Sequence, residues 1–376
     1  MQIIILAAGS GTRMDHLTKN QHKSLLKINQ EESFLSNILH KLNEYEISKV
    51  VLVTGYLSDK IEQEAKNYQI NIEIIKNDRY KDDINIFSMK LALDKLNKDE
   101  NTIIIESDII FDDLSFKEIY FSSTDNKSIW YTRGKFNNTQ YGGILQASSN
   151  NKKVRDIRIV EKYDDIYSDY YKLLGITTIG KNEFFNFKNL INKYSNKSIQ
   201  QYYLIPWIEN LTLLPCVMFD LSSHKVTSIN TPKEYYEYLE TSENNKKIRG
   251  DFSLIDINKF FPIENYIAKR KDLLKKKIKL DGCWTKPLII DKSNHLIMDG
   301  HHRFQAAKEL GLKKIPAIKV DYDEIPIWSL KKEEIVSKEL VKKRALDGKI
   351  YPNKTVKHSF PFEIKLCNIP IGDLKL

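Results

Sequence analysis

Short hydrophobic runs alternate with amphipathic segments along the first 240 residues. Buried strands are predicted at IIILAA, KVVLVTGY, INIEIIKN and NTIIIESDIIF, and apolar residues recur with helical spacing in SFLSNILHKLNEY, SDKIEQEAKNY and IFSMKLALDKL. Alternating strands and helices form βαβ units, so the pattern predicts an α/β fold with a doubly wound, mostly parallel sheet. Shorter strand-like runs between 128 and 180 predict a mixed extension of that sheet, and helices are predicted over 181–194 and 232–240.

The pattern breaks at TSENNKKIRG, residues 241 to 250, which is polar, lacks apolar periodicity and ends in glycine. We interpret 241–252 as a linker between domains at 1–240 and 253–376, because a chain of 376 residues exceeds the size at which one core stops growing. The second domain is predicted to be a smaller α+β fold. Its predicted helices cover 264–278, the residues after DGHHR and 330–346, and its predicted strands cover 286–291, 295–298 and IPAIKV.

The basic charge is concentrated in the second domain. The whole chain carries a net charge of +9, and residues 253–376 hold 26 Lys and Arg against 16 Asp and Glu. Such a surplus favours an anionic partner, either a nucleic acid or a small phosphorylated ligand, and charge alone does not choose between them. Part of the surplus has a simpler interpretation, because KRKDLLKKKIKL (269–280) fits a helix with a lysine-rich solvated face.

Neither the cysteines nor the hydropathy pattern indicates secretion or a membrane. Cys216, Cys283 and Cys367 lie far apart without paired spacing, which argues against a zinc site and against a disulfide framework. No charged-then-apolar leader precedes the strand-like QIIILAA, and no apolar run approaches the length of a membrane span. We therefore expect a soluble, cytoplasmic protein with no membrane partner.

A glycine-rich turn follows the first predicted strand, in LAAGSGTRM. Its bare backbone N–H groups can surround phosphate oxygens, and two fixed cations follow it in sequence. The candidate phosphate-binding residues are Ala8, Gly9, Ser10, Gly11, Thr12, Arg13 and Lys23. Asp108 ends a very hydrophobic strand in IIIESDIIF, at the edge where α/β sheets hold their ligands. An acid in that position beside a polyphosphate most naturally holds Mg²⁺.

The motifs LAAGSGTRM, HKSLL, VTGY and ESDIIF, in this order and spacing, resemble those of nucleotidyltransferases of the sugar-1-phosphate and choline-phosphate type. The resemblance covers about residues 1–240 and implies a GT-A-like fold. It implies that the glycine loop and Arg13 bind the nucleoside triphosphate. It further implies that Lys23 stabilises negative charge at the α-phosphate and that Asp108 binds Mg²⁺.

Other segments refine this resemblance. NDRYKDDINIFSMKLA is similar to a signature of the choline-phosphate branch, which uses CTP, and implies that Asn85 and Ser88 lie near the acceptor; Lys162 in RIVEK is implied as a further phosphate contact. One departure concerns the metal: such enzymes often carry a second metal-binding Asp in a late EIDTPEDY-like segment, where this chain reads SINTPKEY with Asn230. An amide oxygen ligates Mg²⁺ more weakly, so we expect the metal to be held differently here.

The second candidate site lies in PLIIDKSNHLIMDGHHRFQAAKELG. This stretch predicts two strands, an Asp-Gly turn and then a helix that Gly311 ends. Asp299, His301, His302 and Arg303 therefore surround a helix N-terminus, where anions bind readily. Adjacent side chains diverge around a helix, so phosphate suits the two histidines better than a metal does. A simpler alternative stays open, in which Asp299 only caps the helix and the histidines lie on the surface.

The DGHHR motif resembles the ParB/sulfiredoxin superfamily, which binds nucleotide at this strand-to-helix turn. Together with a glutamate in the preceding helix and a later PNKTVKH, residues of about 253–360 are similar to free-serine kinases. This resemblance implies that Glu264 accepts the serine hydroxyl proton, that Asp299 assists with Mg²⁺ or the proton, and that the HHR triplet holds nucleotide phosphates. It implies a basic tail that clamps phosphate or carboxylate, consisting of Lys354, Thr355, Lys357 and His358. Trp328 either walls the serine pocket or packs in the core.

Together, the two resemblances predict a bifunctional enzyme. A kinase would use ATP or ADP to form O-phospho-L-serine, and a cytidylyltransferase would join it to CMP from CTP, giving CDP-L-serine for a surface polysaccharide or a lipid-like head group. The expected partners are small molecules without nucleic acid, and the oligomeric state stays open, a homodimer included. Two alternatives also stay open: a phosphocholine, phosphoethanolamine or aminophosphonate acceptor with a kinase for another amino alcohol, and a ParB-like DNA-binding or CTP-switch module.

Overall fold

The computed structural model describes residues 1–29, 31–244 and 248–376. By its internal contacts the chain divides into two units, Met1–Thr241 and Ser242–Leu376. The predicted linker falls partly on residues 245–247, which lie outside the described residues. Its first residues continue a helix that ends at Asn244, so the helix predicted over 232–240 is longer than expected.

The first unit alternates strands and helices as the hydrophobic pattern predicts. Its strands are β1 (Gln2–Ala7), β2 (Lys49–Thr54), β3 (Ile72–Lys76), β4 (Thr102–Glu106), β5 (Ile109–Phe111), β6 (Ser128–Lys135), β7 (Gly142–Ala147), β8 (Val154–Val160), β9 (Tyr171–Ile179), β10 (Cys216–Asp220) and β11 (Val226–Ser228). Its helices are α1 (Phe34–Leu42), α2 (Ser58–Ala65), α3 (Ile86–Leu93), α4 (Asp113–Ser122), α5 (Lys181–Lys197), α6 (Ile205–Glu209) and α7 (Pro232–Asn244).

A nine-stranded sheet forms the centre of this unit. Its strand order is β10-β6-β9-β4-β1-β2-β3, and the hairpin β7–β8 joins it through β9. Strands β1 to β4 pair in parallel, whereas β9 is antiparallel to both β4 and β6. The predicted mostly parallel sheet with a mixed extension is therefore confirmed.

Packing on both faces fixes the central strands. Ile3, Ile4 and Ile5 of β1 are fully buried, which explains the uninterrupted apolar run in the sequence. Burial of each such side chain stabilises the fold by about 1.5–3 kcal/mol. Because β1 pairs in register with β4, with Leu6 opposite Glu106, the residues that follow these two strands emerge side by side at one edge of the sheet.

The second unit contains a five-stranded sheet of order β13-β18-β16-β17-β14. Its strands are β12 (Ile248–Arg249), β13 (Ser253–Asp256), β14 (Phe261–Pro262), β15 (Cys283–Trp284), β16 (Leu288–Asp291), β17 (Leu296–Asp299), β18 (Lys314–Val320), β19 (Ile327–Ser329), β20 (Val356–His358), β21 (Glu363–Ile364) and β22 (Ile369–Pro370). Its helices are α8 (Ala268–Asp281), α9 (His301–Glu309) and α10 (Lys338–Leu346).

Helices cover both faces of the five-stranded sheet. Along β16, Leu288 and Ile290 pack in one apolar cluster with residues of α8 and α9. Ile289, which points the opposite way, packs in another cluster with Val341 and Ala345 of α10. The predicted α+β fold is confirmed, and so is the end of α9, because Gly311 follows it with a left-handed φ of +68°.

Two helices begin later than the sequence pattern predicts. The helix predicted from 264 starts at Ala268, because the backbone before it forms an extended bridge to Tyr351 instead of a helical turn. The helix predicted from 330 starts at Lys338, where Ser337 accepts a hydrogen bond from the Leu340 amide and caps it. The first correction depends on a contact between segments far apart in sequence, which local periodicity does not contain, whereas the second depends on a local cap.

Two further observations concern the cysteines and the helices. Cys216, Cys283 and Cys367 are free thiols. Across the described residues, no helix has both the length and the apolar character needed to cross a bilayer.

Candidate active sites

The glycine loop after β1 is held by close backbone approaches. Gly11 has a φ of +67°, and a Cβ there would lie 3.2 Å from Lys23 Cβ and from Thr18 Cγ2. A Cβ on Gly55, in the VTGY motif, would lie 2.6 Å from the Ala8 carbonyl oxygen, which accepts a hydrogen bond from the Tyr56 amide at 3.0 Å. Because both residues are glycines, the segment of Thr18 and Lys23 and the turn at Gly55 can pack closely against the loop. This close packing explains why glycine occurs at these two positions of the motifs.

His22 connects the loop to the turn that carries Lys23. Its imidazole Nδ1 accepts a hydrogen bond from the Ser24 amide at 3.1 Å and caps that turn. Burial lowers the pKa of His22 to about 4, against the opposing effect of the nearby Gly9 backbone. The imidazole is therefore neutral near pH 7 and positions the lysine without adding a second charge.

Lys23, Asp108 and Asn230 meet at the edge of the sheet. The Lys23 ammonium donates to Asp108 Oδ2 at 2.8 Å and to Asn230 Oδ1 at 3.2 Å. Pairing of β11 with β5 brings Asn230 there, and the Ile229 amide donates to the Asp108 carbonyl at 3.2 Å. The other Asp108 carboxylate oxygen, Oδ1, is buried without a hydrogen-bond partner among the described residues, so it has a lone pair available for a ligand.

Three further charged residues face this site that sequence reasoning missed. Burial and the charge of Asp108 raise the pKa of Glu106 to about 7. Burial and the charge of Arg133 lower the pKa of Lys172 to about 8, although Glu106 and Asp108 oppose that shift. Burial also lowers the pKa of Arg133, while Glu234 and Asp108 raise it. Glu106 ends the hydrophobic strand β4, which is the signal that could have identified it, whereas Lys172 and Arg133 lie within β9 and β6 and carry no such signal.

The remaining predicted residues of the first unit are placed differently. Arg13 and Lys162 are exposed, and neither side chain makes a hydrogen bond or ion pair within the part of the chain that the structure describes. Ser88 is buried and donates to Asp83 Oδ2 at 2.7 Å. Asn85 Oδ1 accepts from the Tyr203 amide at 2.8 Å, and the Tyr203 hydroxyl reaches Glu106 at 3.4 Å. Asn85 is thus linked to the charged cluster through one residue, whereas Ser88 belongs to a separate buried network.

In the second unit, strand register aligns the two predicted catalytic acids. β14 pairs in parallel with β17, with Pro262 opposite Ile297. Glu264 and Asp299 each follow two residues later, so both emerge at the same end of neighbouring parallel strands. That end of the sheet is where α/β proteins place their ligands.

The Glu264 carboxylate is held by the backbone of the C-terminal tail. Its Oε2 accepts hydrogen bonds from the amides of Thr355 and Val356, both at 3.1 Å. Lys354 makes this approach possible with a left-handed φ of +53°, an uncommon conformation for a side chain with a Cβ. Burial raises the pKa of Glu264 to about 7, although the two amides and the charge of Lys331 lower it.

The two adjacent histidines hold the segment that carries Glu264. His301 Nε2 accepts from the Ile263 amide at 3.2 Å, and His302 Nε2 accepts from the Ile267 amide at 3.0 Å. Burial lowers the pKa of His301 and of His302 to about 4, so both rings are neutral near pH 7. Any contact they make with phosphate would therefore use an Nδ1–H donor and no formal charge. Their predicted phosphate-binding role stays a prediction.

Arg303 fixes Asp299 from one helical turn away. The guanidinium donates to Asp299 Oδ2 at 2.9 Å and to the carbonyls of Lys286 and Pro287 at 2.7 and 2.8 Å. Burial disfavours ionisation of Asp299, but the charges of Arg303 and Lys286 outweigh it and lower the pKa of the carboxyl. Arg303 thus uses three of its five N–H groups within the fold, and Asp299 stays ionised.

The tail residues divide into buried and charged positions. His358 is buried, its Nε2 lies 3.2 Å from the Tyr322 hydroxyl, and burial lowers its pKa to about 3. Thr355 is fully buried and contributes its amide to Glu264. Lys357 lies opposite the buried Trp328 in the β19–β20 pair, and its charge lowers the pKa of Asp299. The positive charge of the tail near the acids therefore comes from its lysines.

Gly300, in the turn between β17 and α9, has no space for a side chain. Its φ is +106°, and a Cβ would lie 2.3 Å from Leu288 Cδ2 and 3.1 Å from the Arg303 guanidinium. We expect Gly300→Ala to destabilise the second unit by about 2–4 kcal/mol in chemical denaturation and to abolish its activity. Gly282→Ala is the matched control, because its φ of +67° is also left-handed but no atom lies within 4 Å of the added Cβ. Equal losses in both variants would contradict the steric argument.

Each of the two units is matched by the model of a known protein family. The nucleotidyl transferase family model matches residues 2–175, and the ParB N-terminal domain model matches residues 239–327. The chain thus has an N-terminal nucleotidyltransferase domain with cytidylyltransferase homologues, followed by a ParB-like domain homologous to ATP-dependent L-serine kinases. Both family resemblances predicted from the sequence are confirmed.

Particular relatives cover only parts of the chain. A choline-phosphate cytidylyltransferase of Haemophilus influenzae is 30% identical over 152 residues, which are 40% of this chain and 56% of the relative. An ATP-dependent L-serine kinase of Staphylothermus marinus is 42% identical over 73 residues, or 18% of this chain and 29% of the relative. The chain thus spans about half of the first relative and less than a third of the second. The structure of a CTP:phosphocholine cytidylyltransferase from Streptococcus pneumoniae has the same fold as the first unit, with a TM-score of 0.54 at 22% identity over 64% of this chain and 98% of that one.

Proposed function

We propose that this chain makes CDP-L-serine in two steps. The second unit phosphorylates free L-serine, and the first unit transfers CMP from CTP to the resulting O-phospho-L-serine with release of pyrophosphate. The observation that supports this proposal is the fusion of the Lys23–Asp108 site with the Glu264–Asp299 site in one chain. A kinase product is a phosphomonoester, and a cytidylyltransferase of this class needs a phosphomonoester as its acceptor.

In the first unit, catalysis rests on charge and position. An oxygen of the acceptor phosphate attacks the α-phosphorus of CTP, and the bond from that phosphorus to the bridging oxygen breaks, so pyrophosphate leaves with the electron pair. Lys23 is only 12% exposed, so its charge acts in a poorly screened setting and stabilises the developing negative charge. The glycine loop after β1, which contains Gly11 and packs against Gly55, supplies backbone N–H groups to the triphosphate. The reaction requires no covalent enzyme intermediate.

The residues at this site fit Mg²⁺. Asp108 presents a buried carboxylate oxygen that lacks a partner among the described residues, and Asn230 presents an amide oxygen, both hard ligands that suit this ion. Across the described chain no cluster of three or more His, Cys, Asp or Glu side chains forms a metal site, which agrees with an ion held mainly by substrate phosphates. When bound, Mg²⁺ would neutralise phosphate charge, and Asp108 and Asn230 would hold it.

Asn230→Asp tests the unusual amide at this position. A second carboxylate should bind the metal more strongly, so we expect the Mg²⁺ concentration for half-maximal pyrophosphate release to fall about 10-fold. The measurement is an Mg²⁺ titration at saturating CTP and phosphoserine. Asn186→Asp adds the same charge at an exposed position of α5 and should leave the titration unchanged. An unchanged titration for Asn230→Asp would exclude this residue from the metal site.

In the second unit, Glu264 is the proposed base. Its carboxylate, with a pKa raised to about 7, can accept the proton of the serine hydroxyl as that oxygen attacks the terminal phosphorus of the nucleotide. The hydroxyl oxygen forms the new bond, and the nucleotide leaves shortened by one phosphate. Asp299 stays ionised beside Arg303 and would hold Mg²⁺. Lys354 and Lys357 of the tail supply positive charge to the transferred phosphate or to the serine carboxylate.

The described fold does not favour the DNA-binding alternative. After α9, the described chain to Leu376 contains α10 as its single α-helix, so a helix-turn-helix pair is missing from this part of the structure. The basic surplus of the second unit is therefore better explained by phosphorylated small molecules.

A coupled assay tests the proposal. The full chain is incubated with CTP, L-serine, Mg²⁺ and either ATP or ADP, and products are identified by mass spectrometry while pyrophosphate is measured. We expect phosphoserine and CDP-L-serine, with both lost when the phosphate donor is omitted and CDP-L-serine restored by added phosphoserine. Parallel reactions with phosphocholine, phosphoethanolamine and 2-aminoethylphosphonate test the other acceptors. Faster pyrophosphate release with one of them than with phosphoserine would overturn the serine assignment.

A further inference from the structure

Two cations, Arg133 and Lys172, lie close together in the first unit, and neither forms an ion pair with an acidic side chain among the described residues. Arg133 is partly buried, its Nε–H is fully buried, and the guanidinium makes no hydrogen bond or ion pair within the described residues. The Lys172 ammonium donates to the carbonyls of Gly143 at 3.0 Å and Leu173 at 3.3 Å, which leaves its third N–H without a partner among those residues. The charge of Arg133 disfavours that of Lys172, and Glu106, Asp108 and Glu234 favour it without a direct ion pair. Both cations therefore keep N–H groups available for an anionic ligand.

The position of these cations favours the acceptor over the triphosphate as the anion that they bind. Lys172 is the second residue of β9, Arg133 lies two residues before the end of β6, and β9 separates β6 from β4 in the sheet. Neighbouring strands lie about 4.8 Å apart, so Arg133 lies about 10 Å from the Asp108 strand, on the side away from the glycine loop. A nucleotide held by the loop after β1 has its phosphates on the opposite side of β4. The two cations therefore face the far end of the acceptor.

An acid accompanies the two cations. Glu106 ends β4, which is the neighbour of β9, and its carboxylate fills the space beside Gly175, where a Cβ would lie 2.7 Å from Oε2. Its side-chain partner among the described residues is the Tyr203 hydroxyl at 3.4 Å, a long hydrogen bond that leaves the carboxylate able to accept from a ligand. A pair of cations beside a carboxylate is complementary to the carboxylate and ammonium groups of an α-amino acid.

We propose that Arg133 and Lys172 bind the α-carboxylate of the acceptor and that Glu106 binds its α-ammonium group, so that the first unit selects a phosphorylated amino acid over a phosphorylated amino alcohol. This inference rests on the proposed cytidylyl transfer. It adds the chemical class of the acceptor and the residues that recognise that acceptor. A guanidinium binds a carboxylate through two parallel hydrogen bonds, which makes Arg133 the main determinant.

O-Phosphoethanolamine provides the test, because it is O-phosphoserine without the carboxylate. We expect the intact chain to use phosphoserine with a kcat/KM about 100-fold above that for phosphoethanolamine, as judged by pyrophosphate release with CTP. Arg133→Gln should lower kcat/KM for phosphoserine about 100-fold and that for phosphoethanolamine less than about 3-fold, so that the preference disappears. Lys172→Gln should reduce the preference in the same direction, and Arg133→Lys should restore part of it.

Lys135→Gln is the matched control, because Lys135 is an exposed cation two residues further along β6. It should leave both kcat/KM values unchanged. The retained rate with phosphoethanolamine shows that each variant is folded and binds CTP, so a purely structural role of Arg133 would lower both rates together.

The possible failures are distinguishable. Equal losses with both acceptors in Arg133→Gln would overturn the carboxylate assignment and leave CDP-L-serine synthesis standing. Absence of pyrophosphate release with phosphoserine in the intact chain, together with turnover of phosphocholine or phosphoethanolamine, would overturn both. A preference for another carboxylate-bearing phosphomonoester that depends on Arg133 would support the inference and overturn only the choice of serine.

Discussion

Lys23→Ala is expected to lower cytidylyl transfer about 1,000-fold and to leave serine phosphorylation unchanged. The lysine is the buried cation nearest to Asp108, and its charge is poorly screened, so its loss removes stabilisation that grows as charge develops on the α-phosphate. The effect should appear mainly in kcat, because the loop backbone still binds the triphosphate. Pyrophosphate release with added phosphoserine measures it.

Lys27→Ala is the matched control for this prediction. Lys27 lies in the same segment, is exposed, and donates to the Glu31 carbonyl at 3.1 Å. It should transfer CMP at the rate of the unaltered chain. If Lys23→Ala raised KM for CTP and kept kcat, Lys23 would be a ground-state binding residue and the proposed role would be wrong.

Glu264→Gln is expected to lower phosphoserine formation about 1,000-fold and to spare CMP transfer to added phosphoserine. Glutamine keeps the shape and can still accept from the amides of Thr355 and Val356, but it cannot take the serine proton. Phosphoserine measured by mass spectrometry after incubation with serine and ATP or ADP gives the rate. Glu324→Gln changes an exposed acid of the same unit and should have no effect.

The pH dependence of the kinase provides a second readout for Glu264. The base acts in its ionised form, and burial raises its pKa to about 7, so the rate should increase as the pH rises from 6 to 8. Glu264→Gln should retain a low rate that no longer varies with a midpoint near 7. A profile with the same midpoint in that variant would assign the titration to a different group.

The sequence predicted those site residues that follow hydrophobic strands directly. Asp108 and the glycine loop come after β4 and β1, and parallel strands bring their carboxyl ends to one edge, so their proximity could be inferred. Lys172 and Arg133 could not be found this way, because they reach the same edge only through the antiparallel insertion of β9 between β4 and β6. These pairings bring Thr102 opposite Ile179 and Ile129 opposite Thr178, and contacts over such separations have no local signature in the sequence.

The two histidines of DGHHR show a second kind of feature that the sequence alone could not predict. Their place at the start of α9 was predicted correctly, but their hydrogen-bond partners are the amides of Ile263, just before the helix predicted over 264–278, and of Ile267, in its first turn. These amides precede the histidines by 38 and 35 residues in sequence. Contacts over such separations have no local signature, so the role of the side chains could not be inferred from the motif.

The ion pair of Lys23 with Asp108 determines which ligands can bind to the unliganded site. Each charge is the counterion of the other, and both side chains are only 12% exposed. A metal ion or a phosphate that entered alone would leave one of them uncompensated, which is costly in a poorly hydrated setting. A metal–nucleotide complex replaces both partners at once. The resting site therefore disfavours a metal ion or a phosphate that binds alone, and inorganic phosphate added to the assay should be a weak competitor of CTP.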